Sequence, residues 1–144
     1  MPGRLAELVA SIPPARWRTR PASGGFSLQE HACHLRDIEV EGYRARLERM
    51  LVEAKPDLPD IDGAALARQR DYLRQDLRRA QAVFAAVRAD VVHRLSNLSP
   101  EQRARTGALE GVGEITVRGV VEAMLRHDAE HLEELSELRK ALVA

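Results

Sequence analysis

The sequence predicts an all-α protein, a four-helix up-down bundle with a short first helix. Three observations carry that expectation. Apolar residues recur at three- and four-residue spacing over long stretches, as one face of an α-helix requires, and no stretch sustains an alternation of period two. Aromatic residues make up 3% of the chain against 44% hydrophobic residues. The core must therefore be built from Leu, Val, Ile and Ala, which suits helix-on-helix packing better than a β-sandwich. Cap and breaker residues also divide the chain into one short and three long helical segments with modest loops, the layout of a bundle. At 144 residues, residues 1–144 are expected to form a single domain able to bury a core.

The first helix is expected from Arg4 to Ile12, with Leu5, Leu8, Val9 and Ile12 on one stripe. Pro13-Pro14 ends it, because proline lacks the amide donor and clashes with the preceding turn. Residues 15–25 read as irregular, with Pro21 and Gly24-Gly25 as breakers. Ser27-Leu-Gln-Glu30 is a capping-box pattern, Phe26 before it suits a hydrophobic staple, and the second helix is expected to run to Glu53. Its first half places Leu28, His31, Leu35 and Ile38 on one face. Its second half shifts to Val40, Tyr43, Leu47, Met50 and Leu51. Residues 55–63, with Pro56, Pro59 and Gly63, read as a connection.

The third helix has the cleanest pattern: Leu73, Leu77, Ala80, Phe84, Val87, Val91 and Leu95. It is expected to begin near Asp62 or Ala64 and to end before Asn97. Ser99-Pro-Glu-Gln102 is a second cap signature and predicts one extra turn. Thr106 to Glu114 holds three glycines and reads as a loop. Thr116 is the expected cap of a last helix carrying Val117, Val121, Met124, Asp128, His131, Leu135, Leu138 and Leu142 on one seam.

Composition excludes several function classes. The formal net charge is zero, from 22 basic and 22 acidic residues, and no basic arm is visible, so a nucleic-acid partner is not expected. No apolar run approaches the ~20 residues that span a bilayer, and no leader pattern stands at Met1, so the expectation is a cytoplasmic protein without a membrane partner. The single cysteine, Cys33, forms no intramolecular disulfide and reads as a small packing residue.

The chemistry is expected in the last helix. His127 and His131, four residues apart, stack two imidazoles on one helical face about 5–6 Å apart at Cβ. His131 falls within the apolar seam and His127 at its edge, where ring nitrogens need polar partners. One borderline metal ion accepts two such nitrogens. A third ligand must come from another helix, and His34, about two turns past the Ser27 cap, is the best placed. Three histidines with open positions describe a catalytic rather than a closed structural site. Asp128 is a candidate for orienting a histidine or a bound water by a hydrogen bond. His31 reads as a partly buried histidine near the helix start, and His93 as a residue favoured at a helix C-terminus. His127-Asp-Ala-Glu-His131 is not a zinc-peptidase motif, since Asp128 replaces the base glutamate. The chain also lacks the two Glu-x-x-His pairs of a di-iron bundle.

Two segments, Phe26-Ser-Leu-Gln-Glu-His-Ala-Cys-His34-Leu-Arg-Asp-Ile-Glu39 and Gly113-Glu-Ile-Thr-Val with His127-Asp-Ala-Glu-His131, resemble motifs of the DinB-like proteins. These are the damage-inducible metal-binding bundles, unrelated to the polymerase of that name. The resemblance extends from Leu5 to Leu138. It implies a four-helix bundle whose His34, His127 and His131 bind a divalent metal, zinc or nickel. Relatives include thiol-dependent transferases and isomerases and metal-dependent hydrolases. Phe26 stands where the family usually has Trp, and His31 where it usually has an aliphatic residue.

The resulting expectation is a metal-dependent enzyme acting on a small-molecule substrate, by hydrolysis or thiol transfer. Arg36, Arg118 and Arg126 are candidate contacts for an anionic substrate. The alternative is a non-catalytic metal-binding or structural stress-response bundle acting as a homodimer.

Overall fold

The apolar stripes of the sequence become helices in the computed structural model, which describes residues 1–143. Helix α1 (Pro2–Ser11) buries Leu5, Leu8 and Val9, and Pro14–Arg16 adds a single 3₁₀ turn behind the Pro13-Pro14 stop. Helix α2 (Leu28–Asp37) opens on the complete capping box of Ser27 and Glu30. It continues without interruption through a π-helical segment, Ile38–Arg44, into α3 (Ala45–Val52). The π segment accounts for the break in the sequence pattern. Leu35 and Ile38 are buried, and the next buried apolar side chains are Tyr43, Leu47 and Met50. The five-residue step from Ile38 to Tyr43 is the extra residue that a π turn absorbs.

The expected long third helix is two helices. Helix α4 (Gly63–Gln69) is capped by Asp62, whose side chain accepts from Ala65 N. Asp71 then takes a left-handed conformation, φ 45°, and Tyr72–Arg74 form a 3₁₀ turn. Helix α5 (Leu77–Ser96) restarts on Asp76, which accepts from Arg79 N. What competes with helix continuity is Tyr72. Its ring is buried, its hydroxyl donates to Asp37 at 2.7 Å, and its carbonyl accepts from the Gln29 amide.

Helix α6 (Pro100–Arg103) is the extra turn predicted from Ser99, again with a full capping box. The segment expected to be a loop is a hairpin: β2 (Thr106–Leu109) and β3 (Gly113–Thr116) pair antiparallel, and β1 (Asp57–Leu58) adds to β2 in parallel. Gly111 and Gly113, at φ 77° and 99°, supply the positive backbone angles that the turn needs. Four-residue strands are too short to show a sustained alternation, so the pattern of the sequence hid them. Helix α7 (Val117–Val143) begins on Thr116, whose hydroxyl accepts from Gly119 N.

Two apolar clusters form the core. One joins α1, the start of α2, the start of α5 and Leu135 and Leu138; the other joins Ile38 to Met50, Val91, Leu98 and Val117 to Met124. Between them, each long helix contributes buried polar residues: His31, His34, Asp37 and Glu39, then Arg88, then Asp128. This polar layer positions the site. No described helix is long and apolar enough to cross a membrane.

Candidate metal centre

The capping box fixes the start of α2, and about two turns later His34 projects toward α7. There the four-residue spacing presents His127 and His131 to it. His34 Nε2 lies 3.0 Å from His127 Nε2, and His131 Nε2 lies 3.1 Å from the same nitrogen. The ligand atoms of all three lie within 4.8 Å of one another. Histidine nitrogens bind zinc at about 2.0–2.1 Å, which puts two donors of one ion about 3.0–3.4 Å apart. The residues fit a divalent ion.

Burial holds these rings neutral. It pushes His34 down to about 3 and His127 to about 4, helped by the neighbouring imidazoles, and lowers His131 as well. Neutral imidazole is the ligating form. In metal-free protein the same shifts set a pH dependence. A histidine depressed below its unfolded value near 6.5 stays neutral in the fold while the unfolded chain takes up protons. Stability is therefore complete above that value and is lost as pH falls toward the folded one. Thermal unfolding of metal-free protein followed by circular dichroism is expected to give a constant Tm above pH 7 and a falling Tm from pH 6.5 to 5. A Tm that stayed level or rose over that interval would contradict the buried neutral cluster.

Each imidazole is held by a neighbour. Phe26 packs its ring against both His31 and His34, at centroid distances of 5.6 and 5.3 Å. The staple expected at Phe26 thus closes on His31, at the fourth position of the helix. Gly63, at the start of α4, lies so close to His34 that a Cβ there would come within 2.5 Å of its Cε1. His131 turns its other nitrogen away from the cluster: Nδ1 lies 3.0 Å from Glu134 Oε2 and 3.1 Å from His31 Nδ1. A ring that offers Nε2 to a metal carries its proton on Nδ1, so Glu134 and His31 are the acceptors that fix that tautomer.

Asp128, expected to orient a histidine, is instead engaged by Arg88, whose Nη1 and Nη2 donate to its two oxygens at 2.6 and 3.0 Å. His31 is buried to 2% exposure and joins the network through His131. His93 is exposed at the end of α5. Burial among apolar neighbours pushes the Cys33 thiol up to about 11, so it stays protonated and serves as packing.

A cavity of about 480 Å³ opens beside the histidines. Its wall includes Phe26, Ile38, Tyr43, Arg46, Ile61 and Gly63 as well as His34, His127 and His131. Burial raises the Tyr43 phenol to about 12, so it remains a hydrogen-bond donor at neutral pH. The hairpin at 106–116 does not line this cavity; the segment at Asp60 and Ile61 does. Arg36 pairs with Asp37, Arg118 with Glu122, and Arg126 is exposed. None of these three lines the cavity. The sequence reading missed Arg46, Tyr43 and Glu134. The first two follow from His34 and Ile38 once the π turn shifts the register, and Glu134 stands three residues after His131.

A family model described as the DinB superfamily matches residues 1–135. Among solved structures, YfiT from Bacillus subtilis, described as a probable metal-dependent hydrolase with an unusual four-helix bundle topology, superposes with a TM-score of 0.87. The match covers 96% of this chain and 79% of that one, at 21% sequence identity. At that identity the likeness shows the fold, a mostly helical chain matching a four-helix bundle topology. No curated protein matches the chain.

Proposed function

The chain belongs to the DinB superfamily, and from that premise we propose that it is a divalent-metal-dependent hydrolase of a small molecule, with His34, His127 and His131 as ligands. The observation that carries this reading is the convergence of three neutral imidazoles on the wall of one open cavity. A closed structural site would take a fourth side chain; here three protein ligands face a space of substrate size. The description of YfiT as a probable metal-dependent hydrolase supports the reaction class.

Zinc or nickel would sit on the Nε2 atoms of the three histidines. When bound, the ion supplies Lewis acidity toward a substrate oxygen or water. The chain's own residues do the rest. Phe26, Ile38 and Ile61 narrow the space with apolar surface, the Tyr43 hydroxyl offers a donor at its edge, and Glu134 holds the Nδ1 proton of His131. Partners of this kind are worth about 10–100-fold in metal affinity. Glu134→Gln, which weakens the acceptor without removing it, is expected toward the lower end of that range in a competition titration with a chromophoric chelator. Unchanged affinity would remove Glu134 from the site.

Elemental analysis of protein purified without a His tag tests the proposal. Near-stoichiometric zinc or nickel, with hydrolysis that a chelator abolishes and the metal restores, is the expected result. No metal after reconstitution with zinc, nickel or manganese would sink it.

A further inference from the structure

We infer that the cavity takes a substrate carrying a small anionic group, a carboxylate or a phosphate, and that Arg46 is the residue that binds it. This deepens the metal-dependent reading, because it places the anion on the wall that also holds the three histidines. The argument begins with how this chain treats buried arginines. The Arg88 side chain is 10% exposed and is gripped by both Glu39 and Asp128. Arg36, at 18%, is paired with Asp37 at 2.7 Å. Arg46 is buried to the same degree, at 13%, yet no carboxylate hydrogen-bonds to it among the described residues. Its Nη2 donates to the Pro59 carbonyl at 3.2 Å, its Nε has no partner, and the nearest acidic oxygen, on the 74% exposed Asp60, is 3.9 Å away. Arg44 Nε is also without a partner, but it borders a different groove, between Leu47, Leu51, Val91 and Leu95.

A largely buried guanidinium whose nearest counter-charge is an exposed carboxylate 3.9 Å away is costly to keep. Its position says what the cost serves. The π segment turns Tyr43 and Arg46 onto the face that carries His34 and Ile38, and all four line the one cavity. Long helical side chains run back toward the preceding turn. Arg46 does so over Gly42, where a Cβ would meet its Nη1 at 4.0 Å. Three neutral imidazoles add no negative charge. The two carboxylates on the wall, Asp60 and Glu134, are 74% and 59% exposed and neither hydrogen-bonds to Arg46. A bound divalent ion would leave the inner wall still more positive. The group that compensates Arg46 therefore comes from the ligand. A guanidinium fork matches a carboxylate or a phosphate better than any neutral group.

Isothermal titration of the full chain with succinate, inorganic phosphate and uncharged succinamide tests this, in zinc-loaded and metal-free protein. At least one anion is expected to bind and succinamide is not; whichever of succinate and phosphate binds more tightly identifies the group. Arg46→Gln should weaken the anion about tenfold to a hundredfold in both forms, the range for a charged hydrogen-bonded contact. Arg46→Lys should retain part of the affinity. Arg46→Met gives an independent readout: if the charge serves a ligand rather than the fold, its Tm equals or exceeds that of wild type. Equal affinity in wild type and Arg46→Gln, no anion binding in either form, or a Tm lowered in Arg46→Met would each overturn the inference. Arg46-dependent binding by a protein that takes up no metal would instead sink the metal-dependent reading and leave this one standing.

Discussion

The His127→Ala variant is expected to bind zinc or nickel about a hundredfold more weakly than wild type and to lose metal-dependent activity with it. His127 is chosen because its Nε2 is the atom that both other histidines face, at 3.0 and 3.1 Å. Structural zinc sites of four ligands bind with roughly 10–16 kcal/mol, so one ligand carries about 3 kcal/mol, or about two orders of magnitude. The fold itself has little reason to fail. His127 lies at the edge of the α7 seam, and its removal relieves burial that already holds the ring near a pKa of 4. His93→Ala, at the exposed end of α5, is the matched control and should keep full affinity. Competition with a chromophoric chelator reads both variants. Equal metal affinity in His127→Ala and wild type would remove the histidine from the site, while equal loss in His93→Ala would show that any histidine near the surface captures the ion.

The histidine cluster was legible in the sequence because its determinants are local. A capping box places His34 by counting residues from Ser27, and a four-residue spacing places His127 and His131 together on any helix. Their meeting in space needed only the expectation that α2 and α7 are neighbours. The support of the site was less legible because it depends on contacts across the chain. Arg46 reaches the cavity only after the π turn moves the face from Ile38 to Tyr43. The sequence did record that shift, as a change in which apolar residues align, but not its cause. The break before α5 is hidden in the sequence for a similar reason. Leu73 and Leu77 continue the helical spacing, whereas the chain yields to the burial of Tyr72 and its hydroxyl on Asp37. Asp128 shows the same limit in reverse. Beside His127 in sequence, it looked like a histidine partner, and Arg88, 40 residues away, claims its carboxylate.

That claim sets the second large effect. Arg88→Met is expected to destabilise the protein by about 3–5 kcal/mol at neutral pH, the cost of removing one partner from a buried ion network. Arg88 donates to Glu39 at 2.8 and 2.7 Å and to Asp128 at 2.6 and 3.0 Å, with Glu39 only 1% exposed. The variant leaves two carboxylates facing each other between the apolar clusters with no cation. For a chain of this length the loss corresponds to a Tm lower by roughly 10 °C, and urea unfolding would show a reduced midpoint. One consequence separates this account from mere loss of packing. Converting the stranded acids as well, in Arg88→Met/Glu39→Gln/Asp128→Asn, should recover much of the stability, because neutral residues of similar volume escape the desolvation cost. A deficit that stayed the same in the triple variant would mean that Arg88 acts through its aliphatic stem and its place over the Phe84 ring. The network would then be incidental to the fold. If the deficit instead follows the two carboxylates, the layer between the apolar clusters is held by charge. The π segment carrying Glu39 and the α7 turn carrying His127 and Asp128 are then fixed to each other through one guanidinium, which is what a metal site split between those helices requires.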